Sequence, residues 1–176
     1  MRKWRKKGFM YAIVVVLVVW PIFQVVHLLG KPSPVERPDK LLYQVSLFQM
    51  ELLGSYLQTG TKSQTTDGLN ALRQAVYSAQ FAHDHLILAY GEARLTKLDS
   101  LSDLMQYILR LQVGGGRQLR ADESQALNDV NNQFAVLYDA YSKLLSSGGD
   151  IVSSQNSRLQ EADKSISLLL KRKLLQ

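Results

Sequence analysis

The stretch DGLNALRQAVYSAQFAHDHLILAYGEA, residues 67–93, decides the fold. Within it Leu69, Leu72, Val76, Ala79, His83, Leu86 and Tyr90 follow one another at alternating spacings of three and four. Side chains so spaced share one face of an α-helix, and the alternation is that of knobs entering holes on a neighbouring helix. Ala75 and Ala82 widen the face. The stretch therefore predicts a long helix that buries one side against others.

Four further segments carry helical spacing on either side of it. In residues 39–59 the apolar stripe is Leu41, Val45, Phe48, Leu52 and Tyr56, which predicts the buried face of a first helix. Residues 97–113 carry Leu98, Leu101, Leu104, Met105, Ile108 and Leu111 and stop at Gly114-Gly115-Gly116. Residues 121–146 repeat the seam with Leu127, Val130, Phe134, Leu137, Tyr141 and Leu144, and Gly148-Gly149 ends them. Asp150 is the predicted cap of a last helix built on Leu159, Ala162, Ile166 and Leu169. The alternation expected of a strand is nowhere sustained. Connections of about four to eight residues predict antiparallel neighbours.

Ahead of the bundle lies a different kind of segment. Residues 9–30, FMYAIVVVLVVWPIFQVVHLLG, hold no formal charge. At 1.5 Å per residue about 22 residues of helix span the ~30 Å hydrocarbon core of a bilayer. Arg2, Lys3, Arg5, Lys6 and Lys7 precede it, and this basic flank orients the segment with its N-terminus in the cytoplasm. A cleaved signal peptide would need small residues at −3 and −1, and HLLGKPSP does not supply them. The expectation is a retained signal-anchor in contact with membrane lipid. Pro32, Pro34 and Pro38 then make residues 31–38 a stiff spacer.

Charge and composition narrow the function. The chain has 21 Lys and Arg against 15 Asp and Glu, a net of +6. Removing the five basic residues of the flank leaves 16 against 15, so the remainder is nearly neutral. The basicity belongs to the membrane border, and nucleic acid is not an expected partner. Cysteine is absent, which excludes disulfides, thiolate metal sites and a Cys nucleophile.

The motifs that carry chemistry are missing too. His83-Asp84-His85 places its two imidazoles roughly 200° apart on a helix, which one ion cannot bridge. His83 lies on the seam and is instead the candidate for a buried, pH-responsive group. Gly114-Gly115-Gly116-Arg117 lacks the spacing and the preceding strand of a phosphate loop. No catalytic, cofactor-binding or metal-binding residues are assigned. Lys171, Arg172 and Lys173 suit the C-terminal end of a helix dipole and form a basic tip for an acidic partner.

The sequence thus predicts an all-α protein with a single N-terminal transmembrane helix and an extracytoplasmic antiparallel bundle of about five helices. Its divisions are a cytoplasmic flank (1–8), the anchor (9–30), the spacer (31–38) and the bundle (39–176). The expected function is a non-enzymatic interaction or scaffold module at the outer face of the plasma membrane, with a protein partner in the envelope. The alternative is a sensor-type bundle that binds a small ligand. In architecture alone, an anchor plus an extracytoplasmic bundle resembles the periplasmic four-helix part of chemoreceptors. Neither reading sets an oligomeric state.

Overall fold

The computed structural model describes Trp20 and residues 38–175. The chain divides into two compact units, Met1–Glu36 and Arg37–Gln176, and the second is described here. Among the described residues five α-helices follow in order: α1 (Pro38–Gly60), α2 (Asn70–Tyr90), α3 (Asp99–Gln112), α4 (Ala121–Ser142) and α5 (Ser153–Leu174). A 3-10 turn, Thr66–Leu69, leads into α2. No strand occurs among these residues, only the isolated bridges Thr65–Gln118 and Leu145–Ile151. None of these helices is long and apolar enough to cross a membrane, and apart from Trp20 the predicted anchor at 9–30, with its flank and spacer up to residue 37, lies outside the described residues.

The helices form a closed ring in the order α1, α2, α3, α5, α4 and back to α1. Helix α1 runs antiparallel to both neighbours. Near its start the Tyr43 hydroxyl donates to the carbonyl of Tyr141 near the end of α4, at 2.8 Å. The Ser46 hydroxyl donates to the carbonyl of Ala82 on α2, at 3.0 Å. One expectation about neighbours needs correction. Helices α3 and α4 are consecutive in the chain but are not packed neighbours, because α5 lies between them. Helices α3 and α5 run parallel: the Ser100 amide donates to Asp163 at 2.9 Å, and Arg110 farther along α3 donates to the carbonyl of Leu174. The bundle is therefore antiparallel at four of its contacts and parallel at the fifth. Asp150 does not cap α5, whose first turn begins after Val152.

The interior is held by apolar burial. Leu69, Leu72, Val76, Ala79, Leu86 and Tyr90 on the α2 side share one buried core with Met50, Leu53 and Leu57 of α1. Leu101, Leu104 and Ile108 of α3 and Leu127, Val130, Leu137 and Tyr141 of α4 complete the core with Leu159, Ile166 and Leu170 of α5. Each fully buried aliphatic side chain stabilises by roughly 1.5–3 kcal/mol, set against the cost of ordering the chain. Three glycines shape the helices. Gly114 and Gly115 take φ of +94° and +92°, which stops α3 in a conformation that side chains with Cβ rarely adopt. A Cβ at Gly54 would stand 3.3 Å from the Phe134 ring, so α4 approaches α1 closely there.

Helix α1 departs from the sequence expectation in a way that matters for function. Its core face is Tyr43, Ser46, Met50, Leu53, Leu57 and Gly60. Of the stripe read as buried, Leu41, Val45, Phe48 and Tyr56 are exposed and Leu52 is half-buried.

Neighbouring leucines of α2 give a test of this register. Leu86 is fully buried and Leu88 is 76% exposed. Leu86→Ala should cost about 2–5 kcal/mol in urea unfolding followed by circular dichroism, as for buried leucines generally. Leu88→Ala should stay within about 0.5 kcal/mol of the parent. Similar losses for both would show that α2 is rotated from the orientation described.

Candidate functional site

The outer face of the α1–α2 pair exposes several large apolar and aromatic side chains. The Ser46–Ala82 hydrogen bond sets the register of the two antiparallel helices, so Phe48 and Phe81 stand at one level and Leu41 and Leu88 at another. Phe48 and Phe81 are each 55% exposed, and Val45, Tyr56 and Tyr77 are exposed with them. Along α2 the rings form a row: Tyr77 and Phe81 stack with centroids 6.5 Å apart, and Phe81 meets His85 at 4.1 Å. His85 is anchored by its Nδ1–H, which donates to the Phe81 carbonyl at 2.8 Å.

Charge is nearly absent from these helices. Between Leu41 and Gly60 the sole charged residue is Glu51, and α2 carries Arg73 and Asp84 besides its histidines. Helix α5, by contrast, exposes Arg158, Glu161, Lys164, Lys171 and Arg172. An apolar, aromatic and charge-poor patch is the composition of an interface core rather than of a solvated helix face.

His83 lies on the opposite side of α2, buried. Its Nε2 donates to the Thr96 carbonyl at 3.0 Å, since a carbonyl only accepts. Nδ1 then accepts from the Tyr141 hydroxyl at 3.1 Å. Both ring nitrogens are satisfied in the neutral form, and His83 and Tyr141 also touch through their rings, 5.6 Å apart. Burial pulls the imidazole pKa from 6.5 down to about 4 and outweighs the opposing hydrogen bond to Thr96. Titration near neutrality, the sequence expectation for this residue, is thereby moved into acid. His83 and His85 face opposite ways and share no site.

The far end of the bundle, opposite Pro38, holds a cleft of about 620 Å³ where the ends of α3 and α5 meet the start of α4. The connections before α2 and α4 are laced together here. The Thr66 amide donates to the Arg117 carbonyl at 2.9 Å, and the Leu119 amide to the Gln64 carbonyl at 2.9 Å. Arg117 grips Glu123 through two hydrogen bonds of 2.8 and 2.6 Å. Arg120 adds its backbone amide at 2.9 Å and its Nε at 3.0 Å to the same carboxylate. These bonds, Arg117 foremost, hold the Glu123 pKa down to about 2 against the effect of burial.

Of the predicted basic tip, Lys173 lines this cleft. Lys171 pairs with Asp103 at 3.6 Å, and Arg172 is exposed. The predicted flank of Arg2, Lys3, Arg5, Lys6 and Lys7 lies outside the described residues. Sequence reading did not find Arg110, Arg117 and Arg120 as companions of Lys173. The run Arg117-Gln-Leu-Arg120 just before a helix start was the available signal.

The buried imidazole predicts a pH dependence of stability. Between pH 6.5 and 4 the unfolded chain takes up a proton at His83 that the folded bundle refuses. Its contribution is therefore full above 6.5, falls as pH falls, and is gone below 4, a loss on the order of 3 kcal/mol. Urea unfolding across this range should show that slope in the parent and in His85→Asn, and a flatter one in His83→Asn. Parallel slopes for the parent and His83→Asn would remove His83 as the cause.

Compared with known proteins, the chain matches no family model, no curated sequence and no solved structure.

Proposed function

We propose that this chain is a membrane-tethered, non-enzymatic interaction module of the cell envelope whose α1–α2 face docks an amphipathic helix of a partner protein. The observation that carries this reading is the outward row of Leu41, Val45, Phe48 and Tyr56 beside Tyr77, Phe81 and Leu88. The α1 stripe has the spacing that a partner helix needs for knobs-into-holes contact, and α1 already spends a different face on the core. Exposed aromatics are the usual centres of binding energy, and the near absence of charge removes the desolvation cost of covering them.

The tether in this reading is residues 9–30, with Arg2, Lys3, Arg5, Lys6 and Lys7 keeping the N-terminus in the cytoplasm. The bundle then belongs to the outer side of the plasma membrane, joined to the anchor through the proline-rich residues 31–38. Anchoring confines the module to a plane and raises the effective concentration of a partner held in the same plane, so a modest apolar face suffices for stable docking.

Photocrosslinking in native membranes tests both parts. A photoreactive residue placed at position 48 or 81 should capture one partner, and the same residue at position 164 on α5 should not. Mass spectrometry of the crosslinked peptide should find apolar residues at spacings of three and four. The crosslinked species should stay with the membrane through an alkaline carbonate wash. Equal capture at position 164 would sink the docking face, a crosslink to a second copy would replace the partner with self-association, and release by carbonate would sink the anchor.

A further inference from the structure

We infer that the cleft at the end opposite Pro38 is a binding site for a small polyvalent oxyanion of the phosphate type, held by Arg110, Arg117, Arg120 and Lys173 with Tyr107 as a neutral donor. The four cationic side chains converge from three places in the chain: α3, the connection before α4, and the last turn of α5. Two carboxylates, Asp122 and Glu123, share the cleft with them, so the site has a formal excess of two positive charges. Bringing like charges together around a partly enclosed space costs free energy that only a bound anion or distant counter-ions can offset.

The carboxylates do not fill the site: Asp122 meets the Arg120 Nε at 3.5 Å, and both of those side chains stay more than half exposed. The Glu123 side chain is 3% exposed, whereas those of Arg117 and Arg120 are 42% and 68% exposed. Glu123 therefore grips both guanidinium groups from the protein side and leaves their outer faces to solvent. A guanidinium carries five N–H donors in a rigid fork, and a carboxylate behind it fixes the fork without exhausting it. Arg110 is held in another way, by donating to the main-chain carbonyls of Lys173 and Leu174 at the end of α5. Those contacts orient it without neutralising it. Among the described residues, no carboxylate lies within ion-pair distance of the Lys173 ammonium. Preorganised, partly desolvated donors of this kind recognise tetrahedral oxyanions through paired N–H contacts.

Tyr107 adds a neutral hydroxyl to the cleft wall. Its ring is buried against the core while it lines the cleft wall. A tyrosine hydroxyl is a neutral donor at pH 7 in any case, and burial, reinforced by Glu123 and Asp122, pushes it up further to about 12. A cleft of about 620 Å³ is larger than one phosphate and suits a ligand with two such groups or one group on an organic body. The same phosphomonoester chemistry could come from a soluble metabolite or from a lipid headgroup. The cleft lies at the end of the bundle opposite Pro38, roughly 35 Å away along the 23 residues of α1.

The test uses the full chain purified in detergent and sodium pyrophosphate as the probe, titrated calorimetrically at constant ionic strength. Saturable binding is expected, with the affinity lowered about tenfold in Lys173→Gln and several-fold in Tyr107→Phe. Both variants should melt at the parent temperature without ligand, and Lys164→Gln on the outer face of α5 should bind as the parent does. Displacement of pyrophosphate by dihexanoyl phosphatidate, but not by dihexanoyl phosphatidylcholine, upholds the site and assigns it to a lipid phosphate. Failure of phosphatidate to displace upholds it for a soluble oxyanion. Absence of saturable binding, or equal affinity in the parent and both folded variants, overturns the proposal.

Discussion

A neutral imidazole shut inside a helical bundle is the constraint around which this structure is arranged. His83 can be buried only if each ring nitrogen finds a partner of the right kind, because an unsatisfied polar atom there costs about 1–3 kcal/mol. The Thr96 carbonyl takes the Nε2 proton and the Tyr141 hydroxyl supplies one to Nδ1. Tyr141 in turn stacks on Tyr43 at 6.2 Å, and its carbonyl accepts from the Tyr43 hydroxyl. The chain of contacts thus ties α1, α2, α4 and the connection into α3 at one level. Apolar burial supplies most of the stabilisation, but it is non-directional. The polar relay selects one register among several that leucines alone would accept.

Much of this was legible from spacing. The seams of α2 and α4, from Leu69 to Tyr90 and from Leu127 to Leu144, are buried at every position that the 3/4 pattern marked. They could be read because each helix carries a single dominant apolar face. Helix α1 could not be read in the same way, since it carries two. Its true core face is interrupted by Ser46 and ends on Gly60, while the outward stripe is unbroken from Leu41 to Tyr56. Periodicity shows that a face is apolar, not which neighbour covers it. The ring order was also hidden. Short connections favour adjacency between consecutive helices, but the eight residues between α3 and α4 are long enough to step around α5. The cleft inherits this difficulty, because Arg110 and Lys173 meet only where α3 and α5 lie parallel.

The same ring order sorts the surface. With five helices closed in the order described, the member opposite the α1–α2 pair is α5. The charge-poor aromatic face and the charge-rich helix therefore look in opposite directions. On a single helix this separation is called amphipathic; here it is a property of the whole domain. One side tolerates water through Arg158, Glu161 and Lys164, and the other presents rings and aliphatic side chains. A body of this kind is oriented by whatever it meets, since only one side gains free energy from being covered.

The placement of α5 between α3 and α4 bears on the order of assembly. In the direction of synthesis, α1 to α4 precede the helix that joins the ring between two of them. Until it arrives, Leu101, Leu104 and Ile108 of α3 and the facing side of α4 lack the leucines and isoleucine that cover them. The amide of Ser100 at the start of α3 likewise waits for Asp163, more than sixty residues away, to cap it. With α1 to α4 in place and α5 absent, the ring would leave an apolar slot between α3 and α4. Closing that slot falls to a single helix, the last of the five in chain order, so the ring is complete only when the C-terminal segment is in place.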